Sequence, residues 1–163
     1  VYKRQDESFP SSITGSEVAE YVTRKKAKAY LDELEDHDVL ITGDTVVLCD
    51  GQVLGKPKSA EEAKAMLQQL TGKTHTVASG IAVTTKASGI NSAVDTCQVT
   101  FAALDDALMD HYIEQYQPFD KAGAYGVQDL IGFAGVVSLN GSYFTVMGLP
   151  THLLFHLLNN LKS

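Results

Sequence analysis

The sequence predicts an α/β fold, a mixed β-sheet with flanking helices. Segments with apolar residues at three- and four-residue spacing alternate with β-branched runs along the chain. Asp50-Gly51, set between two apolar runs, is a two-residue hairpin signal, and hairpins among the helices argue against a purely parallel, doubly wound sheet. With 44% hydrophobic and 20% charged residues among 163, the chain can bury a core without disulfide or zinc staples. No repeat, low-complexity tract or Pro/Ser-rich linker divides it, so residues 1–163 read as a single domain.

In chain order, Ser16 to about Leu34 is expected to be a helix, because Val18, Tyr21, Val22 and Ala29 recur on one face; Asp36-His37-Asp38 breaks it. Val39 to Cys49 is an apolar, β-branched strand, and Gln52-Val53-Leu54 starts back along its partner. Gly55-Lys56-Pro57 ends that hairpin. Ser59-x-x-Glu62 is a capping box for a helix with Ala63, Met66, Leu67 and Leu70 on one face and Gly72 as its stop. Thr74 to Lys86 and Ala93 to Ala103, both rich in Thr and Val, read as long strands joined through residues 87–91. Asp105 to about Gln115 is a helix with acids in its first turn, where the helix dipole favours them. A glycine-rich stretch over 121–135 leads to a last strand near Tyr143–Met147, and Pro150 opens a terminal helix through Leu161.

Composition narrows the function. Thirteen Lys and Arg against 20 Asp and Glu give a net charge of −7, which argues against a sequence-independent nucleic-acid binder but not against an enzyme that handles nucleotides with a few placed cations. Cys49 and Cys97 lie far apart without Cys-x-x-Cys or Cys/His ligand spacing, so a reducing, cytoplasmic setting is expected. No segment has the apolar length of a membrane helix, and no signal peptide is visible.

Asp44 is the most informative residue. Strand alternation puts it on one face with Leu40, Thr42, Val46 and Leu48, where a carboxylate is costly unless it meets a cation, a metal or several donors. A strand-end Asp satisfied by backbone N–H groups near Gly43 is the alternative. Lys25 falls near the centre of the first helix's apolar stripe and Lys26 at its edge; periodicity leaves open which points inward, and snorkelling to solvent is the plain reading of both. Gly51-x-x-x-Gly55-Lys56-Pro57 is not a phosphate loop, since a spacer residue is missing and Pro57 replaces the magnesium-binding hydroxyl. Lys56, held at a strand end, is placed to meet an anion or simply to occupy a turn. Asp120 to Gln128 packs two glycines, an ion pair and an amide into a segment suited to close backbone approach to a ligand, or to a tight turn. His152 and His156 lack the glutamate of a zincin helix, His37, His75 and His111 show no partner pattern, and no nucleophile elbow is present.

Several motifs occur in one order: Asp6-Glu7, Arg24-x-Lys26-Ala27, Gly43-Asp44-Thr45-Val46-Val47, Gly55-Lys56-Pro57 and Thr71-Gly72-x-Thr74-His75. Asp120-Lys121-Ala122-Gly123-Ala124-Tyr125-Gly126-Val127-Gln128 and Gly141-Ser142-Tyr143-x-x-Val146-x-Gly148-Leu149-Pro150 follow. From residue 6 to about 158 the chain resembles the Maf-family nucleoside triphosphate pyrophosphatases. The resemblance implies an α/β structure with two lobes around a deep cleft, often dimeric. It implies hydrolysis of a nucleoside triphosphate to monophosphate and pyrophosphate with a divalent metal cation, Mg²⁺ or Mn²⁺, as nucleotide house-cleaning. The Asp44-Thr45 pair and the Ala-Tyr-Gly-Val-Gln run resemble the branch acting on dTTP and UTP.

Carried over residue by residue, Asp44 is the general base or orients the attacking water, and Glu7 helps to hold metal or water. Lys26 and Lys56 bind the triphosphate, and Thr45 and Gln128 contribute to substrate recognition. The family's opening strand and Ser-x-Ser-Pro-Arg-Arg motif have no counterpart here, which suggests a chain lacking its first strand and helix. Without those arginines, a non-catalytic nucleotide-binding or cell-division module is the alternative, and a pyrophosphatase of inosine-type nucleotides is a third reading. Thr145 stands where Asn is usual and Asp129 where Gly is common.

Overall fold

The computed structural model describes residues 7–161. The Asp6 of the first motif lies outside the described residues. The elements are α1 (Glu17–Lys28), β1 (Leu40–Cys49), β2 (Gln52–Leu54), α2 (Ala60–Leu70), β3 (Thr74–Thr85), β4 (Gly89–Phe101), α3 (Asp106–Tyr116), α4 (Leu130–Gly135), β5 (Val136–Asn140), α5 (Tyr143–Val146) and α6 (Thr151–Asn160). The five strands form one sheet in the order β2-β1-β3-β4-β5. Every pairing among the described residues is antiparallel, so the parallel component that a mixed sheet implies is not among them. No helix of the described residues is long and apolar enough to cross a membrane.

Local chemistry accounts for most boundaries. Glu17 and Glu20 in the first turn of α1 and Lys25, Lys26 and Lys28 in its last complement the helix dipole. The helix ends at Lys28, earlier than its periodicity suggests; the short turn that follows, Leu31–Glu33, buries no side chain, so nothing rewards its extension. The β1–β2 turn takes positive φ at both Asp50 and Gly51, as an Asp-Gly hairpin should. Ser59 caps α2 by accepting from the Glu62 N–H, and Glu62 in turn accepts from the Lys58 N–H. Asp105 caps α3 in the same manner through the Leu108 N–H.

Two expectations need correction. β4 begins at Gly89 rather than Ala93, because Thr85 Oγ1 accepts from the Ser88 N–H, Gly89 turns at positive φ, and Asn91 and Ser92 then pair with the buried Val83 and Ala82. Their polar side chains mimic a loop. The last strand is Val136–Asn140, not Tyr143–Met147. Its register matches Leu139 to Val99 and Asn140 to Gln98, and the Ser142 carbonyl then collects the N–H groups of Thr145 and Val146 into a helical turn. The apolar run there imitates a strand.

The sheet separates two cores. On one face Val18, Ala19 and Val22 of α1 pack on Val46 and Ala78. On the other, Leu67 and Leu70 of α2 and Met109, Tyr112 and Ile113 of α3 cover Val47, Val77, Val99 and Phe101. The first interface is unusually close at one place. Gly80 of β3, the register partner of Asp44, lies so near α1 that a Cβ there would stand 2.6 Å from the Ala19 carbonyl oxygen and from Thr23 Oγ1. Only a residue without a side chain allows α1 to settle at this depth. Within the second core, buried His75 bonds Tyr125 through Nε2 at 2.7 Å and meets Phe101 edge-on. Its Nδ1 has no hydrogen-bond partner among the described residues.

Two outcomes are expected. Gly80→Ala should cost about 1–3 kcal/mol in denaturant unfolding, because backbone rather than a flexible side chain must move; an unchanged midpoint would contradict the contact. Burial pushes His75 down to about 4 from 6.5, so the unfolded chain binds a proton that the folded one refuses. Stability should be whole above pH 6.5 and decline toward pH 4, by about 3 kcal/mol at most. His75→Gln, which keeps a polar partner for Tyr125, should remove that part of the decline.

Candidate functional site

β2 pairs with β1 only over Val47–Cys49, so among the described residues no strand flanks positions 40–46 of β1 on that side. A cavity of about 500 Å³ opens here. Asp44, Thr45, Val47, Val77 and Ile81 line it from the sheet, the segment from Asp120 to Gln128 from a second side, and Val146–Leu149 from a third. Because it reaches the strand's edge, neighbours from opposite faces of β1, Asp44 and Thr45, both take part. Gly123 lets the 120–128 segment approach, its φ of +67° and its lack of Cβ placing it against Val47; its N–H bonds the Gly55 carbonyl at 3.0 Å.

Four of the residues named from the sequence form one line of alternating charge. Lys26 Nζ lies 2.6 Å from Asp44 Oδ1 and 3.0 Å from Glu7 Oε1, and Lys56 Nζ lies 3.0 and 2.9 Å from the two Glu7 oxygens. The question left open by periodicity is answered: Lys26 turns toward the strand and Lys25 donates to the Ser8 carbonyl and hydroxyl. Arg24 points elsewhere, to Ser92 Oγ at 2.7 Å on β4. Thr45 and Lys56 line the cavity directly, and exposed Gln128 does so from the far wall.

Burial sets the electrostatics of this line. It pushes the Asp44 carboxyl above its ordinary value, and the Lys26 ammonium only partly offsets that, while the Glu7 charge adds to it. For Lys26 burial works downward, yet its bonds to Asp44 and Glu7 prevail and hold it above the ordinary lysine value. Burial also works upward on Glu7, where Lys56 and Lys26 outweigh it and leave the carboxyl low. The two ends of the Asp44–Lys26 pair thus behave differently because the carboxylate is the more enclosed, 11% exposed against 20%. Among the described residues no group of three or more His, Cys, Asp or Glu could form a metal cage. Asp44 and Glu7, which share the Lys26 ammonium, are carboxylates within reach of a cation at this edge, and Asp120 lines the cavity opposite.

Other residues, to which the sequence assigned no role in the site, join it. Lys121 lines the cavity, 2.9 Å from Asp120 and 3.9 Å from Asp129; the Asp120-Lys121 pair was visible in the sequence, but nothing there separated it from a turn. Asp129 accepts from the Tyr112 hydroxyl, which itself accepts from the Gly126 N–H, so it braces the segment. Ser79, the register partner of Thr45, bonds its hydroxyl at 2.7 Å. Thr145 donates its hydroxyl to Asp95, whose carboxylate also stands 3.7 Å from His152 Nε2. The His152 side chain thus faces an acid, not a metal pair with His156.

A family model described as Maf-like protein matches residues 2–161. The chain is 45% identical over 150 residues to a dTTP/UTP pyrophosphatase of Bacteroides thetaiotaomicron, covering 92% of this chain and 77% of that protein. It is 43% identical to the dTTP/UTP pyrophosphatase of Porphyromonas gingivalis, covering 96% and 78%. To that of Flavobacterium psychrophilum it is 40% identical, covering 97% and 81%.

The charge line has a signature of its own. By carbon-13 NMR titration the Asp44 carboxyl should titrate above the ordinary aspartate range. Lys26→Met should raise it further, and Glu7→Gln should lower it, because the two neighbours act with opposite sign. Equal shifts in one direction would contradict the arrangement.

Proposed function

The chain belongs to the Maf family, and on that premise we propose that it hydrolyses nucleoside triphosphates, dTTP and UTP above all, to the monophosphate and pyrophosphate. It would thereby clear unusual or surplus nucleotides. The observation that supports this best is the unbroken line Asp44–Lys26–Glu7–Lys56 at the rim of a cavity of nucleotide size. The relatives bearing the name dTTP/UTP pyrophosphatase support the substrate class.

In this reading water attacks the α-phosphorus and Asp44 takes its proton. A carboxyl raised by burial is a stronger base than a solvated one, and the Lys26 ammonium favours its ionised form. Lys26 and Lys56 bind the triphosphate, with Lys121 adding a third cation, and so offset the charge that gathers on the pyrophosphate leaving group. Glu7 spaces the two lysines. Thr45 and Gln128 meet the base. The donor set suits a divalent metal cation, Mg²⁺ or Mn²⁺, in the manner of hard cations that take one or two carboxylates and complete their shell with phosphate and water oxygens. Asp44 and Glu7 would hold it, and it would supply further neutralisation of the triphosphate. Residues 1–163 act as a single Maf-like domain in the cytoplasm, and exposed Phe133, Val137, Phe144 and Phe155 offer apolar surface for a homodimer.

Incubation with UTP or dTTP and the metal should release pyrophosphate, and Asp44→Asn should lower kcat by about 10²–10⁴-fold. Orthophosphate as the first product would overturn the reaction class. Nucleotide binding without turnover would favour the non-catalytic module.

A further inference from the structure

One carboxylate oxygen, Asp95 Oδ2, meets both ends of a segment that walls the cavity. Beneath that segment one rung of the sheet runs Thr45, Ser79, Asp95 across β1, β3 and β4, three polar side chains on one face. Thr145 of α5 sits on this rung, fully buried and with every polar group engaged. Its carbonyl accepts the Ser79 hydroxyl at 2.7 Å and the Gly148 N–H at 3.1 Å. Its N–H donates to the Ser142 carbonyl, and its hydroxyl donates to Asp95 Oδ2. His152, in the first turn of α6, places Nε2 3.7 Å from the same oxygen. Between Thr145 and His152 lie Val146, Met147, Gly148 and Leu149, the third wall of the cavity.

How close that wall stands depends on the pin at Thr145. A Cβ on Gly148 would lie 3.3 Å from Thr45 Oγ1, so the wall rests against the sheet at the same rung. Met147 and Leu149 remain half exposed, so apolar packing holds the segment weakly and the polar pin fixes its position. The charged line is held from elsewhere: Lys26 belongs to α1, which packs on the opposite face of the sheet. Resting on the reading that this cavity takes a nucleoside triphosphate, we infer that Asp95 is a positioning residue. By holding Thr145 it keeps the Val146–Leu149 wall against the sheet, and so sets how tightly the nucleotide is bound rather than how fast it is cleaved.

The test pairs two readouts in the wild type and variants. One is the Kd of α,β-imido-UTP, which resists cleavage at that bond, by calorimetry; the other is kcat and KM for pyrophosphate release from UTP. Asp95→Ala leaves the buried Thr145 hydroxyl without its acceptor, so Kd and KM should rise about tenfold while kcat stays within about twofold of the wild type. Thr145→Val should do the same from the other side of the bond, which decides the matter even if Asp95→Ala does not fold. Asp95→Asn, whose amide oxygen still accepts, and Thr145→Ser, whose hydroxyl still donates, should each stay within about threefold in Kd. Because both disruptive changes remove one bond, combining Asp95→Ala with Thr145→Val should weaken binding no further than either alone. A merely structural role would lower kcat through loss of folded enzyme and leave Kd and KM unmoved. That outcome, an unchanged Kd in both Asp95→Ala and Thr145→Val, or losses that add in the double variant would overturn the inference while leaving the pyrophosphatase reading intact. A wild type that binds the analogue but releases no pyrophosphate would overturn the pyrophosphatase reading, and the Kd series would still decide the role of Asp95. Absence of binding by the wild type would overturn both.

Discussion

The ion pair between Asp44 and Lys26 depends on a side chain that is not there. Helix α1 reaches the sheet at Gly80, where its Ala19 carbonyl and Thr23 hydroxyl occupy the volume a Cβ would need. Gly80 is also the register partner of Asp44, so the depth of the helix and the position of the carboxylate are fixed at one rung of the ladder. At that depth a lysine one turn beyond Thr23 reaches a carboxylate that is 11% exposed. Were α1 to stand farther out, Asp44 would be enclosed without its cation, which is the costly arrangement for a charge.

The same pair shows how burial and charge divide the work. Enclosure raises Asp44 toward basicity, and the Lys26 ammonium works against it by favouring the carboxylate. Glu7 and Lys56 extend the alternation, so that neither lysine is left facing the other without an acid between them. A triphosphate bears several negative charges, and a line of cations already spaced by carboxylates suits it better than a cluster of bare lysines would.

Much of the framework was legible in the sequence because its causes are local. The Asp50-Gly51 hairpin, the Ser59 cap and the acids at the start of α3 depend on neighbours a few residues away. Asp44 could be singled out because a charged residue interrupts an apolar strand face. Glu7, and the choice of Lys26 over Lys25, were reached through family resemblance, since helical periodicity left both lysines plausible; Lys56 and the segment that ends in Gln128 stood out locally, but as a ligand contact or a turn alike. What decided between Lys25 and Lys26 is the contact at Gly80, a tertiary constraint that no spacing rule contains. Ser79 was hidden for a related reason. Inside a run of Thr, Val, Ala and Ser it reads as ordinary strand, and its importance comes only from lying across from Thr45 in the register. Tyr143–Val146 misled because its apolar residues imitate a strand, whereas the Ser142 carbonyl closes a helical turn there.

Everything proposed for Asp44 requires that water attack the α-phosphorus beside it. The most direct measurement is a single turnover of UTP in oxygen-18 water, with products analysed by mass spectrometry. Attack at the α-phosphorus puts the heavy oxygen in UMP and none in the pyrophosphate. Label in the pyrophosphate would place the attack at the β-phosphorus and contradict the role given to Asp44 and its lysine.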